Sequence, residues 1–196
     1  MKVSKETVEQ NRERVIDTAA KLFRERGIDG IGLADLMKAA GLTHGAFYRQ
    51  FKSKDDLVVQ AVKRAYDDMS ADLARRIAAS DDPLQTLVRH YVSDDHRDDP
   101  GHGCSLAALA GDAARHDDPA LRAFFGNIVS NYIALLTRLV PGGDPVAKRS
   151  TAIAVLAEMI GSVVLSRAVP DPTLSGEIID TVSNDLVKRH STPISA

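Results

Sequence analysis

Between Leu33 and Phe51 the apolar periodicity breaks once, at Gly41-Leu42-Thr43, and that break limits what the chain can fold into. Before it, Leu33, Leu36, Met37 and Ala40 stand at i, i+3, i+4 and i+7, the spacing of one buried helix face. Gly41 supplies a left-handed residue to end that helix, and Thr43 stands where its hydroxyl can cap the next. A second helix of roughly seven residues follows. Ala46, Phe47 and Phe51 can pack inward there, while His44, Gly45, Tyr48 and Arg49 point away. Two helices joined over so short a glycine turn form a helix-turn-helix.

The outward face carries a chemistry of its own. From Leu42 to Lys54 there are three Lys or Arg and no Asp or Glu. Positive charge, hydroxyls and a glycine that permits close approach are what a helix entering a DNA major groove requires. Charge along the whole chain leans the same way. Residues 1–66 hold 13 Lys or Arg against 9 Asp or Glu, and the other 130 hold 12 against 18. A basic head on an acidic body fits nucleic-acid contact at the head alone.

The stretch GLTHGAFYRQFKSKDDL resembles the signature of the TetR family of bacterial transcriptional repressors, and an amphipathic helix ending at Arg26-Gly27-Ile28 precedes it as in that family. The match covers the first third of the chain. Its Gly, Tyr, Phe and Lys at fixed offsets are more specific than a generic helix-turn-helix. Helix-start signals along the chain punctuate about nine helices, and the all-α remainder suits the family. A three-helix helix-turn-helix DNA-binding domain would occupy residues 1–53, and a helical ligand-binding and dimerisation domain residues 54–196. The resemblance implies a homodimeric, ligand-responsive repressor on a palindromic double-stranded DNA operator, released by a small-molecule effector. One departure stands out: Ile31-Gly32 replaces the Ser or Thr usual before the second helix, so that hydroxyl contact is not carried over.

By the same resemblance Thr43, His44, Gly45, Ala46, Tyr48 and Arg49 sit at the DNA. Their chemistry suggests roles. Thr43 caps the helix and touches phosphate, His44 donates or accepts at a base edge, and Gly45 brings the backbone close. The Ala46 methyl can meet a thymine methyl. Tyr48 suits phosphate, and Arg49 suits either guanine or phosphate. Lys54, opening the next helix, would clamp phosphate with that helix's N-terminal amides. Phe47 and Phe51 belong to the core. Lys2, Lys5 and Arg12 read as a disordered tail or a basic arm.

Helix starts in the body are legible. Asp82-Pro83, Asp118-Pro119, Asp144-Pro145 and Asp171-Pro172 each offer a capping carboxylate and a proline for the first turn. Thr7 with Gln10 and Ser53 with Asp56 read as capping boxes. The segment from Pro145 to about Ala168 is the most apolar, mixing Ile153, Leu156, Ile160, Val163 and Val164 with Ala152, Ala157, Gly161 and Ser162. Small residues among large ones let two helices approach tightly. By periodicity this helix and the last finish a monomer core; the resemblance implies that they pair with a second copy.

A candidate effector pocket draws on Tyr91, Cys104, Phe124, Asn127, Asn131, Tyr132, Glu158 and Met159. Asn127 and Asn131 share a helix face, although amides so spaced are more often exposed. Glu158 in an apolar run must be paired, protonated or pocket-lining. Cys104, the single cysteine, follows two glycines at a helix start with His102 nearby. That allows a thiol-based electrophile or oxidant sensor, or a small helical enzyme using Cys104, against the plainer reading of a small buried hydrophobe.

Other chemistries find little support. Residues 94–102 gather Asp and His without a familiar metal spacing and read as a solvated loop. There is no glycine-rich phosphate loop and no Gly-x-Ser-x-Gly elbow. No cofactor is expected, and no enzyme activity. No uninterrupted apolar run reaches the roughly 18 residues of a membrane span, and the polar N-terminus lacks a signal-peptide core, so cytoplasm is the expected compartment.

Overall fold

The computed structural model describes residues 4–190. Among them are ten α-helices and one 3-10 turn, and no strand. In chain order the helices are α1 (Lys5–Arg26), α2 (Leu33–Ala39), α3 (His44–Phe47), α4 (Lys54–Ala78), α5 (Pro83–Tyr91) and α6 (Asp94–Asp98). After the 3-10 turn Pro100–His102 come α7 (Ser105–Arg115), α8 (Pro119–Leu139), α9 (Pro145–Ala168) and α10 (Pro172–His190).

The chain forms two compact units. One is built from residues up to Asp68 together with Pro100–Phe125, the other from Met69–Asp99 together with the residues from Gly126 on. This division differs from the expected one at residues 53 and 54. The reason is local: Asp112 of α7 accepts the Ile28 N–H at 3.0 Å, and Arg24 of α1 donates to the Gly101 carbonyl. The segment 100–125 thus packs back on the first helix.

In the first unit, α1 buries Val15, Ile16, Ala19, Ala20 and Phe23, the face its periodicity assigns. Its start lies one turn before Thr7. Ser4 is the cap, its hydroxyl accepting the Thr7 N–H at 3.1 Å, so the expected Thr7–Gln10 box does not open the helix. Arg64 of α4 bridges Glu13 and Asp17, joining α4 to α1. Arg12 lies 5.2 Å over the Phe51 ring and donates to Gln60, so it belongs to the packed head and not to a loose arm. Lys5 opens α1, and Lys2 lies outside the described residues.

In the second unit α9 packs on α10. Small residues make this possible: Ala152 and Ser162 are buried, and the Ser175 hydroxyl donates to the Ser166 carbonyl at 2.7 Å. The segment expected to be a solvated loop contains the short helix α6, capped by the Ser93 hydroxyl on the His96 N–H. His96 faces inward. Its Nδ1 donates to the Tyr91 carbonyl at 2.6 Å, and its ring meets Tyr91 edge to face. Arg167 of α9 donates to the His96 and Arg97 carbonyls, fastening α6 in place. Burial pushes the His96 imidazole down to about 4.

By length and composition α9 is apolar enough to cross a membrane, which run length alone did not suggest. Yet Val155, Met159 and Val163 are buried within the unit, as expected of a core helix with one uncovered side.

Candidate nucleic-acid interface

The turn that positions the candidate reading helix is closed by backbone bonds. Gly41 takes φ +73°, Gly41 N–H donates to the Lys38 carbonyl at 3.0 Å, and Leu42 N–H donates to Met37 at 2.9 Å. A side chain at this φ would be strained, so glycine is required. Thr43 then takes the extended N-cap conformation before α3. Its hydroxyl makes no capping bond, contrary to the expected cap, and the Ala46 N–H turns to the Thr43 carbonyl at 2.9 Å. The hydroxyl is left available to another acceptor or donor.

The α-helical part of α3 is four residues, shorter than the periodicity suggested. From Tyr48 the chain tightens: Gln50 N–H donates to the Phe47 carbonyl at 2.8 Å, as does Phe51 at 3.0 Å. The first is an i→i−3 bond, a common way for a helix end to use its last carbonyls, and the second keeps the α-helical i→i−4 spacing. Below, Phe47 is fully buried and stacks on Phe51, ring centroids 5.3 Å apart. Above, Thr43, His44, Gly45, Tyr48 and Arg49 are exposed, and Ala46 is half-buried. Tyr48 stands 67% exposed, steadied edge to face by Phe47 at 5.3 Å and His44 at 5.6 Å. A Cβ on Gly45 would meet nothing within 4 Å, so that face is open to a close approach.

The next helix start meets the same surface. The Ser53 hydroxyl accepts the Asp56 N–H at 3.0 Å, and Asp56 accepts the Lys52 N–H at 3.0 Å, a reciprocal cap close to the expected one. Lys54 begins α4 and lies 3.6 Å from Asp29, whose side chain is 95% exposed. An ion pair this open contributes little and can be exchanged for a phosphate. Before α2 the N-cap is Gly32, with no side-chain cap, in line with the departure read from Ile31-Gly32.

Seen from these positions, residues 15–61 match the family model of bacterial regulatory proteins of the tetR family. Similar curated proteins are the HTH-type transcriptional regulator AcrR of Shigella flexneri and the HTH-type transcriptional repressor KstR2 of Rhodococcus jostii. The first is 31% identical over 85 residues, 43% of this chain and 40% of AcrR. The second is 30% identical over 105 residues, 54% of this chain and 50% of KstR2. The chain therefore spans half or less of the length of these relatives. In fold it resembles a TetR-family regulator from Cytophaga hutchinsonii, at TM-score 0.77 and 20% identity over 100% of both chains. It also resembles E. coli NemR in its reduced form, at TM-score 0.77 and 21% identity over 95% of this chain and 100% of that one.

Residues 15–61 thus form a head of the tetR family of bacterial regulatory proteins. All-α architecture with an N-terminal helix-turn-helix goes with it, as the sequence implied. Within the TetR-family head, the exposed set on α3 combines an imidazole, a phenol and a guanidinium over an aromatic base. That arrangement can donate to phosphate oxygens and to base edges.

The residues proposed to line an effector pocket are placed differently from one another. Tyr91, Tyr132 and Met159 are buried in the second unit, while Asn127 and Asn131 are exposed on α8. Glu158 is not enclosed: it forms a half-exposed ion pair with Arg189 of α10. Phe124 and Cys104 belong to the first unit, Phe124 half-buried and Cys104 only 1% exposed. Ser105, which sequence reasoning missed, is buried at the start of α7 with its hydroxyl lacking a protein partner among the described residues. Nothing in its sequence setting of Cys104 and Leu106 distinguishes it from an ordinary helix-start serine.

Proposed function

We propose that this chain is a TetR-family DNA-binding transcriptional regulator, a homodimeric, ligand-responsive repressor of a palindromic operator. The observation that carries the reading is the exposed set His44, Gly45, Tyr48 and Arg49, raised on a buried Phe47–Phe51 pair. An aromatic as exposed as Tyr48 in an otherwise well-packed head has the character of a contact residue. Thr43, Tyr48 and Lys54 take phosphate, His44 and Ala46 take base edges, and Arg49 takes either.

The second copy is supported by α9. Val146, Ile153, Ala157, Gly161 and Val164 fall along one side of that helix. Val146, Ile153 and Val164 are 73%, 47% and 42% exposed, and a Cβ on Gly161 would meet nothing within 4 Å. A long apolar stripe with a small centre suits close helix pairing. Dimeric helix-turn-helix proteins set their reading helices about 34 Å apart to meet successive major grooves.

The effector acts from the body. α4 continues without a break from residues of the first unit into those of the second, so chain connectivity supports it as the lever. A coupling of about 1–3 kcal/mol would weaken operator binding by about 5- to 150-fold. Burial of Cys104 favours a packing role for that thiol over a sensor or a nucleophile.

Selection of bound duplexes from a random pool tests the reading. The expected product is a two-fold symmetric site. Recovery of no enriched duplex at low salt would overturn it.

A further inference from the structure

Several cations of the head are already engaged. Arg12 is held by Gln60 and Phe51, Arg24 by the Gly101 carbonyl, Arg64 by Glu13 and Asp17, and Lys21 by Glu25. Arg14 is different. It sits on α1 between Glu13 and buried Val15, is exposed, and has no hydrogen-bond or ion-pair partner among the described residues. Its guanidinium reaches the α2–α3 turn, with Nη1 3.8 Å from where a Cβ on Gly41 would stand. Gly41 is two residues before Thr43, so the two Cα atoms are within about 7 Å of each other. A fully charged, planar donor is thus held beside the start of α3 by a helix that itself carries no base-reading residue.

Resting on the proposed DNA-binding function, we infer that Arg14 is a further backbone contact, taking a DNA phosphate on the flank of α3 next to Thr43. It fixes register and adds affinity without reading sequence, since phosphates are the same at every base pair. A purely structural role exists for comparison: a cation near the C-terminal end of α2 also opposes that helix's dipole. The two roles separate in their dependence on salt, because only a phosphate contact releases counterions from DNA.

The experiment compares wild type, Arg14→Gln and Arg14→Lys on one selected duplex and one unrelated duplex over a range of salt concentrations, with melting temperatures alongside. The expected result is several-fold weaker binding of R14Q to both duplexes alike. The slope of log affinity against log salt should also fall by about 1 for each bound head, and R14K should largely recover it. Wild-type binding with an R14Q slope and affinity unchanged overturns the assignment, and so does a lowered melting temperature with the slope intact. A wild type that binds neither duplex overturns the underlying DNA-binding reading, and this inference with it.

Discussion

Tyr48 and His44 touch each other edge to face yet should answer differently to substitution. Tyr48 offers one hydroxyl at the end of a long exposed ring, so under the proposed function Tyr48→Phe should weaken binding to every duplex equally by removing a donor to phosphate. Removing His44 should change which duplex is preferred, because an imidazole both donates and accepts at base edges. Competition gel shifts with a panel of single-base variants check both; a Tyr48 variant that alters preference would reverse the assignment. His96 governs a different property. Its depressed pKa means that the unfolded chain, with the ordinary value of 6.5, binds a proton before the folded one does. The stability it contributes is therefore intact above pH 6.5 and is lost as pH falls towards about 4. Between pH 7 and pH 5 the wild type should lose about 2 kcal/mol relative to His96→Gln, read from urea unfolding at the two pH values.

At the scale of elements, one carboxylate ties two helices together. Asp112 of α7 accepts the N–H of buried Ile28 just after α1, and Asp112→Ala leaves that donor unsatisfied. The expected cost is about 1–3 kcal/mol, with Asp112→Asn, which keeps an acceptor oxygen, costing less; chemical denaturation compares them. Such long-range ties were not legible in the sequence, since nothing near Asp112 names Ile28 as its partner. Element starts were legible, because their signals are local. All four Asp-Pro pairs open helices, with Asp82, Asp118, Asp144 and Asp171 each accepting a backbone N–H of the first turn. The misses have local causes as well. Ser4 intercepts the Thr7 N–H one turn early, and three-residue bonds after Phe47 shorten α3. The exposed set on α3 could be read from alternation against Phe47 and Phe51. Glu158 could not be placed, because its partner Arg189 lies on another helix.

For the molecule as a whole, the proposed dimer makes the uncovered side of α9 the surface to test. Under the proposed function Ile153→Asp should give a monomer by sedimentation, with the far-UV spectrum kept, since Ile153 is 47% exposed and its loss leaves the unit's own core intact. An unchanged dimer would place the contact on another surface. Monomers should also bind a two-fold site far more weakly, as each head then acts alone. The head itself rests on the Phe47–Phe51 stack, which takes no part in the outward surface. Target preference and folding are consequently under separate control. Under the proposed function, descendants of this chain would exchange His44 or Arg49 to reach new promoters, with melting curves staying where they were.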